Sequence, residues 1–88
     1  MKNLEELTVI ILTHNTPEKV LFDCLKTIDK NVKILIVENS GIFPSKESVI
    51  KNFSHIKIIC TGENLGYAKG NNFGIKHALT DHILILNP

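Results

Sequence analysis

The sequence predicts an α/β fold in which a parallel sheet of about four strands carries helices on both faces. Four short segments are apolar almost throughout, as strands buried on both faces of a parallel sheet are. The segments between them carry helix-start signals or helical periodicity. The resulting β-α-β-α-β-α-β order, with right-handed crossovers, is typical of a Rossmann-like sheet. The predicted strands are residues 8–13, 33–38, 56–60 and 82–86.

Helix-start signals and an apolar stripe define the first helix. Thr16 is expected to cap it, and Pro17 to occupy its first turn, where a missing N–H costs little. The side chains expected to face the sheet recur at helical spacing: Val20, Leu21, Cys24, Leu25 and Ile28. Cys24 is then most simply a core residue. Because the sequence shows no export signal, Cys24 and Cys60 are both expected to be free thiols.

The other two helices are less regular. The second is predicted over residues 45–53, with Val49, Ile50 and Phe53 facing inward. The third is predicted to begin at residue 65 or 67 and to run to residue 79.

Glycine recurs at every fourth residue of the third helix, as Gly66, Gly70 and Gly74. Each interior glycine costs about 0.8–1 kcal/mol relative to alanine, so another interaction must offset the cost. Close packing on the sheet is favoured at Gly74, whereas at Gly66 and Gly70 packing and a ligand near the backbone stay open as alternatives. Asn71 and Asn72 lie in the middle of this helix, and one of them is expected to hold a neighbouring loop.

Composition excludes several classes of protein. The chain has 88 residues, of which 43% are hydrophobic and 22% charged, as in one small globular domain or part of a larger one. A net charge of +1 gives no electrostatic case for nucleic acid as a partner. The apolar runs are far shorter than the ~20 residues of a transmembrane helix. Dinucleotide-binding, P-loop and zinc-binding spacings are missing.

Polar side chains follow each of the first three predicted strands, at the end where an open parallel sheet binds its ligands. The loops are rich in Asn, Thr and Ser and hold no nucleophile–base pair, which favours hydrogen-bonded recognition over covalent catalysis. The candidate binding residues are Thr13, His14, Asn15, Glu38, Asn39, Asn64, Gly66 and Lys69.

Two of these candidates carry charge. Glu38 ends an apolar strand, so its carboxylate is expected to point into the crevice, where it can accept hydrogen bonds from ribose hydroxyls or from a base N–H. The alternative is a carboxylate that faces water. Lys69 lies near the start of the third helix, where it can meet a diphosphate or remain solvated.

These loops together resemble the N-terminal half of family 2 glycosyltransferases, which have the A-type nucleotide-sugar fold. The first strand ends in Thr13-His14-Asn15, where the family usually has Thr-Tyr-Asn, and the second in Val37-Glu38-Asn39-Ser40-Gly41, where it has Val-Asp-Asn-x-Ser. The longest match, over residues 63–75 and on to Ala78, is similar to the rhamnosyltransferase-like branch that builds bacterial surface polysaccharides. The ending at residues 84–88 resembles the strand before the family's acidic metal motif.

The resemblance implies roles for particular residues. Thr13 and Asn15 would line the nucleotide pocket, Glu38 would take the place of the family's Asp against base or ribose, and Asn64 and Gly66 would border the diphosphate. The family's Asp-x-Asp motif, which holds Mg²⁺ or Mn²⁺, would begin after Pro88. Residues 1–88 are therefore expected to be the nucleotide-sugar-binding half, with no catalytic residue, no metal ligand and no activity alone.

The resemblance also implies partners and a location. The partners would be a nucleotide-diphosphate sugar and a glycan or lipid-linked acceptor, and the parent enzyme would be cytoplasmic, with the inner membrane as a peripheral site. The last strand would leave an unpaired edge, through which self-association is expected. Two alternatives remain: a non-catalytic remnant or interaction module, and an ordinary small nucleotide-binding α/β protein.

Overall fold

Strands and helices alternate along the chain in the predicted order. The computed structural model describes residues 6–88. Only the element ends differ from the prediction, by one or two residues. The elements are β1 (Leu7–Thr13), α1 (Glu18–Lys26), β2 (Lys33–Glu38), α2 (Lys46–Asn52), β3 (Lys57–Cys60), α3 (Tyr67–His77) and β4 (His82–Leu86).

The four strands form one parallel sheet in the order β3-β2-β1-β4. β1 and β2 are central, and β3 and β4 are the edges. The register pairs Thr13 with Glu38, and Glu38 with Cys60, so β1, β2 and β3 end in one row. The loops that follow these strands therefore start side by side, as expected for the carboxyl edge of a parallel sheet.

Helices cover both faces of the sheet, which confirms the predicted architecture. On one face, Ile11 and Ile36 pack with Leu21 and Leu25 of α1 and Val49 of α2. On the other face, α3 packs over a smaller cluster, formed by Ile10, Leu35 and Val37 with Leu12, Ile59 and Phe73 beside it. Because both faces are buried, the central strands are apolar at nearly every position.

The start of α1 differs from the prediction. Its N-cap residue is Pro17, and no side chain caps it. The hydroxyl of Thr16 is engaged elsewhere, because it accepts a hydrogen bond from the backbone N–H of His14 at 3.3 Å. Thr16 thus closes the turn that follows β1, and the expectation that it caps α1 is wrong.

Two side chains expected to face the sheet do not. Ile50 is 46% exposed and Val20 is 43% exposed, although their neighbours Val49 and Leu21 are fully buried. Successive side chains on a helix are about 100° apart, so a helix that rests on the sheet along a narrow line buries only one of two adjacent apolar residues. Phe53 does face inward, and its ring packs edge-on against Phe22 with centroids 5.3 Å apart.

The structure separates the roles of the three glycines. A Cβ on Gly74 would lie 2.9 Å from Val37 Cγ2 and 3.0 Å from Ile10 Cγ2, and one on Gly70 would lie 2.8 Å from Leu12 Cδ1. These two glycines therefore let α3 approach the sheet closely, as predicted for Gly74. Gly66 has open space around it but a φ of +82°, so its backbone conformation selects glycine.

Within residues 6–88, neither Asn71 nor Asn72 makes the expected side-chain hydrogen bond to a neighbouring loop. Asn71 is 4% exposed, and its Oδ1 has no hydrogen-bond partner. Asn72 is exposed on the same helix. Four of the five side chains of β4 are also exposed, whereas Leu86 is partly buried against the core.

A further expectation, on the cysteines, is met in the described residues. Cys24 and Cys60 are free, and burial raises the pKa of the Cys24 thiol. Within residues 6–88, no helix has the length and apolar character needed to cross a membrane.

Replacing Gly74 by alanine tests the close contact between α3 and the sheet. We expect Gly74→Ala to lower the free energy of unfolding by about 1 kcal/mol, because overpacking of ~1–3 kcal/mol outweighs the ~1 kcal/mol that alanine gains in a helix. Urea unfolding measures the change. The control Asn72→Ala, on the exposed face of the same helix, is expected to leave stability unchanged or raise it. Equal stability gains in both variants would show that α3 does not pack tightly at Gly74.

Candidate functional site

Three loops are joined by backbone hydrogen bonds at the carboxyl edge of the sheet. The N–H of Asn39 donates to the carbonyl of Thr13 at 2.7 Å, and the N–H of Thr61 donates to the carbonyl of Glu38 at 2.9 Å. One step further out, the N–H of Gly62 donates to the carbonyl of Ser40 at 3.0 Å. The ladder of β1, β2 and β3 therefore continues into the loops and fixes them relative to one another.

The carboxylate of Glu38 is buried among hydrogen-bond donors. Its side chain is 1% exposed. Oε1 accepts from the hydroxyl of Thr13 at 2.7 Å, and Oε2 accepts from the hydroxyl of Ser40 at 2.7 Å and, more weakly, from the N–H of Asn15 at 3.4 Å. A buried carboxylate needs such donors to offset its lost hydration. Glu38 thus joins the ends of β1 and β2 through side chains as well as through the backbone.

The turn after β1 has an unusual backbone. Asn15 has a φ of +55°, in the left-handed region that asparagine tolerates better than most residues. This conformation lets its N–H approach Glu38. His14, just before it, is exposed at the same edge.

Asn39 is buried, at 3% exposure, and makes the densest set of side-chain hydrogen bonds in the site. Its Oδ1 accepts from the N–H of Leu65 at 2.9 Å and from the hydroxyl of Thr61 at 3.1 Å. Its Nδ2 donates to the carbonyl of Gly66 at 3.1 Å and to Oδ1 of Asn64 at 3.3 Å. Both N–H groups and the oxygen of the amide are therefore engaged within the protein, although the single proton of the Thr61 hydroxyl is shared with the carbonyl of Glu63.

The N-terminus of α3 lies beside the Asn39 amide and is not capped by a side chain. The N–H of Gly66 donates to Oδ1 of Asn64 at 2.9 Å, and Gly66 is the N-cap residue, with no capping side chain and no acidic residue in the first turn. By contrast, α1 and α2 begin with Glu18 and Glu47 in their first turns. The first helical amides have no partners inside the helix, so the positive end of α3 is free to meet an anion.

Two cavities lie on either side of the turn at 14–16. The smaller, of about 230 Å³, opens on the α1 and α2 face, and we name it the Glu38 cavity. The larger, of about 460 Å³, opens beside α3, and we name it the Asn64 cavity. The Glu38 cavity is lined by Asn15, Thr16, Glu18, Glu38, Phe43, Pro44 and Ser45. The Asn64 cavity is lined by Leu12, Thr13, His14, Thr16, Asn39, Asn64, Gly66, Tyr67, Asn87 and Pro88.

Seven of the eight candidate binding residues line these two cavities, which confirms that they share one edge of the sheet. The remaining candidate, Lys69, is exposed on the first turn of α3 and lines neither cavity. The sequence analysis missed Ser40, which donates to Glu38, and Thr61, which donates to Asn39. Thr61 directly follows β3, and Ser40 lies two residues past the end of β2. Their positions in the sequence therefore could have indicated a place at this edge of the sheet.

The fold and the edge define a class of protein: a parallel α/β sheet that presents polar loops and a free helix N-terminus to a ligand at its carboxyl edge. Within that class, the family model described as "Glycosyl transferase family 2" matches residues 8–88. The chain therefore belongs to glycosyltransferase family 2.

A curated relative agrees with this assignment. The chain is 31% identical over 91 aligned residues to the "Low-salt glycan biosynthesis hexosyltransferase Agl10" of Haloferax volcanii. The alignment covers 97% of this chain and 28% of the relative. The chain thus corresponds in length to about a quarter of that hexosyltransferase.

Family 2 glycosyltransferases generally use a divalent metal ion, and the described residues do not fit one. Within residues 6–88, no group of three or more His, Cys, Asp and Glu side chains could hold a metal ion. The oxygens of Glu38 already accept hydrogen bonds from Thr13, Ser40 and Asn15. The chemistry available to the described residues is binding and orientation of a ligand.

Replacing Asn39 by aspartate tests whether its amide holds the edge together. Asn39→Asp keeps the shape but loses the two donors to Asn64 and Gly66, and it sets a carboxylate against their oxygens. We expect a loss of about 2–4 kcal/mol in the free energy of unfolding, measured with urea. Asn72→Asp, on the exposed face of α3, is the matched control and is expected to change stability little. A similar small change in both variants would contradict the role given to Asn39.

Proposed function

We propose that this chain forms the donor-binding part of a glycosyltransferase that takes a sugar from a nucleotide-diphosphate sugar. The observation that carries the proposal is the free N-terminus of α3, which opens beside a cavity lined by residues that follow all four strands. A diphosphate is the anion that such a helix end and a nearby lysine would suit. Family membership supports the same ligand class.

The Glu38 cavity is proposed to receive the base and ribose. Phe43 and Pro44 give it apolar walls, and Asn15 and Ser45 give it polar groups. Glu38 has one oxygen, Oε1, with a single hydrogen-bond partner, so that oxygen retains capacity to accept another donor from the nucleotide. Its main contribution is orientation, since it also fixes Thr13 and the turn at Asn15.

The Asn64 cavity is proposed to receive the diphosphate and the sugar. The first amides of α3 and the side chain of Lys69 would stabilise the phosphate charge. Asn64 and Gly66 set the position of that helix end, and His14 and Asn39 border the same space. These residues bind and orient the donor, and none of them is proposed to be catalytic.

The parent reaction is proposed to be inverting hexosyl transfer to a glycan or lipid-linked acceptor, in bacterial surface polysaccharide synthesis. The relative supports hexosyl transfer in glycan biosynthesis, and the motif at residues 63–75 supports the rhamnosyltransferase-like branch. The proposed setting is the cytoplasm, with peripheral contact to the inner membrane. Mg²⁺ or Mn²⁺ would supply charge stabilisation of the leaving diphosphate, from ligands outside the described residues.

Calorimetric titration with nucleoside diphosphates tests the site. We expect Lys69→Ala to weaken binding of a nucleoside diphosphate about five- to tenfold and binding of the matching nucleoside hardly at all, because one phosphate contact is lost. Lys76→Ala, in the last turn of the same helix, is the matched control. Equal effects of both variants, or equal effects on nucleoside and diphosphate, would contradict the proposed diphosphate position.

A second titration tests the other cavity. We expect Glu38→Gln to weaken both the nucleoside and the nucleoside diphosphate, since the amide cannot accept from all its present donors and the turn at Asn15 would shift. Glu47→Gln, on the exposed first turn of α2, is the control. If no nucleotide binds the unmodified chain, the alternative of a non-catalytic interaction module is favoured instead.

We also propose that the 88-residue polypeptide does not turn over a nucleotide sugar by itself, because the described residues offer no group of three or more metal-ligating side chains and no nucleophile–base pair. The expected result is no release of nucleoside diphosphate above the rate without protein, in the presence of Mg²⁺ or Mn²⁺. Metal-dependent release by the purified polypeptide, lost in Lys69→Ala, would overturn this proposal.

A further inference from the structure

A cavity of about 340 Å³ lies at the amino edge of the sheet, opposite the loops described above. α3 starts over the carboxyl ends of the strands and ends at His77, so it leaves the first residues of β2 and β3 uncovered. The walls come from β1, β2, β3 and the segments beside them, without residues from β4. We name this space the amino-edge cavity. Its principal lining residues are Thr8, Lys33, Leu35, His55, Lys57 and His77.

The lining of the amino-edge cavity is basic. Lys33, Lys57, His55 and His77 line it, and no acidic side chain does. The whole chain has a net charge of only +1, so this is a local concentration of basic groups. Among residues 6–88 the one ion pair lies within α1, so no carboxylate of the described chain pairs with Lys33 or Lys57. The two ammonium groups therefore have charge to offer a ligand.

The sheet register brings the two lysines to one face. Lys33 is the partner of Thr8 across β1 and β2, and Lys57 is the partner of Leu35 across β2 and β3. Leu35 belongs to the cluster beneath α3, and side chains two residues apart on a strand share a face. Both lysines therefore leave adjacent strands on the α3 side, just beyond the end of that helix.

The ring of His77 is held in one orientation at the end of α3. Its Nδ1 donates to the carbonyl of Phe73 at 2.8 Å, and the two rings lie 4.7 Å apart with a tilt of 34°. Because the carbonyl can only accept, Nδ1 carries a hydrogen and Nε2 is left for a ligand. Nε2 can accept from a protonated phosphate oxygen or, in the charged ring, donate to an ionised one.

We propose that the amino-edge cavity binds a phosphate monoester that carries an apolar body. Such a group bears a charge of about −1.5 to −2 at neutral pH, which the two ammonium groups match. Lysine meets a phosphate as a point charge, and the chain has no arginine to provide a carboxylate fork. Leu35, Ala78 and Leu79 add apolar walls for the body of the ligand, and such walls strengthen the local field. A free phosphate ester and a lipid phosphate head group share this chemistry.

Nuclear magnetic resonance titration of the isotope-labelled chain locates the site. The probes are phenyl phosphate, which has an apolar body, and inorganic phosphate, which has none. We expect phenyl phosphate to shift the amide signals of residues 33–35, 55–57 and 77–79, and inorganic phosphate to bind more weakly at the same residues. Shifts confined to residues 64–69 would place the phosphate at the opposite edge of the sheet, and would overturn the proposal.

Two lysine variants test the charge contacts. We expect Lys33→Ala and Lys57→Ala each to weaken binding of phenyl phosphate about five- to tenfold, because each removes one charged contact. The matched control is Lys51→Ala, in the last turn of α2, which is expected to bind like the unmodified chain. Equal effects of all three variants would contradict the site. So would a loss of stability in urea with unchanged binding, since the lysines would then serve only the carbonyl end of α3.

A vesicle experiment separates the two sources of the phosphate. The chain is sedimented with vesicles of phosphatidylcholine that do or do not contain phosphatidic acid, itself a phosphate monoester. Binding that requires phosphatidic acid and is lost in Lys57→Ala would support a lipid head group as the ligand. Binding of phenyl phosphate without binding to the vesicles would support a free phosphate ester. None of these outcomes depends on whether a nucleotide binds at the carboxyl edge.

Discussion

The side-chain amide of Asn39 is the interaction on which the functional edge depends. Strands of a parallel sheet fix where loops begin, but they do not fix where loops go. Asn39 directly follows β2 and forms hydrogen bonds with Thr61, Asn64, Leu65 and Gly66. One buried side chain therefore fixes the loop that leads into α3. Because its N–H groups and its oxygen are engaged inside the protein, Asn39 is placed to set the direction of the N-terminus of α3.

Close packing and this amide act together. A Cβ on Gly70 would lie only 3.0 Å from Nδ2 of Asn39, so the glycine leaves room for that group. The missing Cβ of Gly74 lets α3 lie on Ile10 and Val37. The helix therefore lies close to the sheet at two successive turns, which fixes the direction of its N-terminus. The two interior glycines destabilise the helix by about 2 kcal/mol, and they permit the close packing that sets the direction of α3.

The sequence predicts most of this fold because its signals are local. Apolar runs mark buried strands, and the β-α alternation leaves a parallel sheet as the simplest arrangement. The sequence also predicts that the candidate residues share one edge of the sheet, because that prediction requires only that the strands be parallel. The sequence does not predict burial that depends on how far a side chain lies from the contact between helix and sheet, as with Ile50. Nor does it predict which of two neighbouring groups forms a hydrogen bond with a hydroxyl, as with Thr16. The burial of Glu38 belongs to the second kind: the residue type shows that a carboxylate ends β2, but not that Thr13 and Ser40 supply its donors.

Glu38 is one methylene longer than the aspartate of the family pattern at this position. The family usually has aspartate at this strand end, whose shorter side chain reaches less far from the backbone. Here the longer side chain reaches both the hydroxyl of Thr13, across the strand pair, and the hydroxyl of Ser40, further along its own chain. The carboxylate accepts from three donors, the third of them weak, and has almost no contact with solvent. A residue so placed stabilises the shape of the pocket, and under the proposed function the preference of the site for a nucleotide would depend on how rigidly Glu38 holds the turn at Asn15.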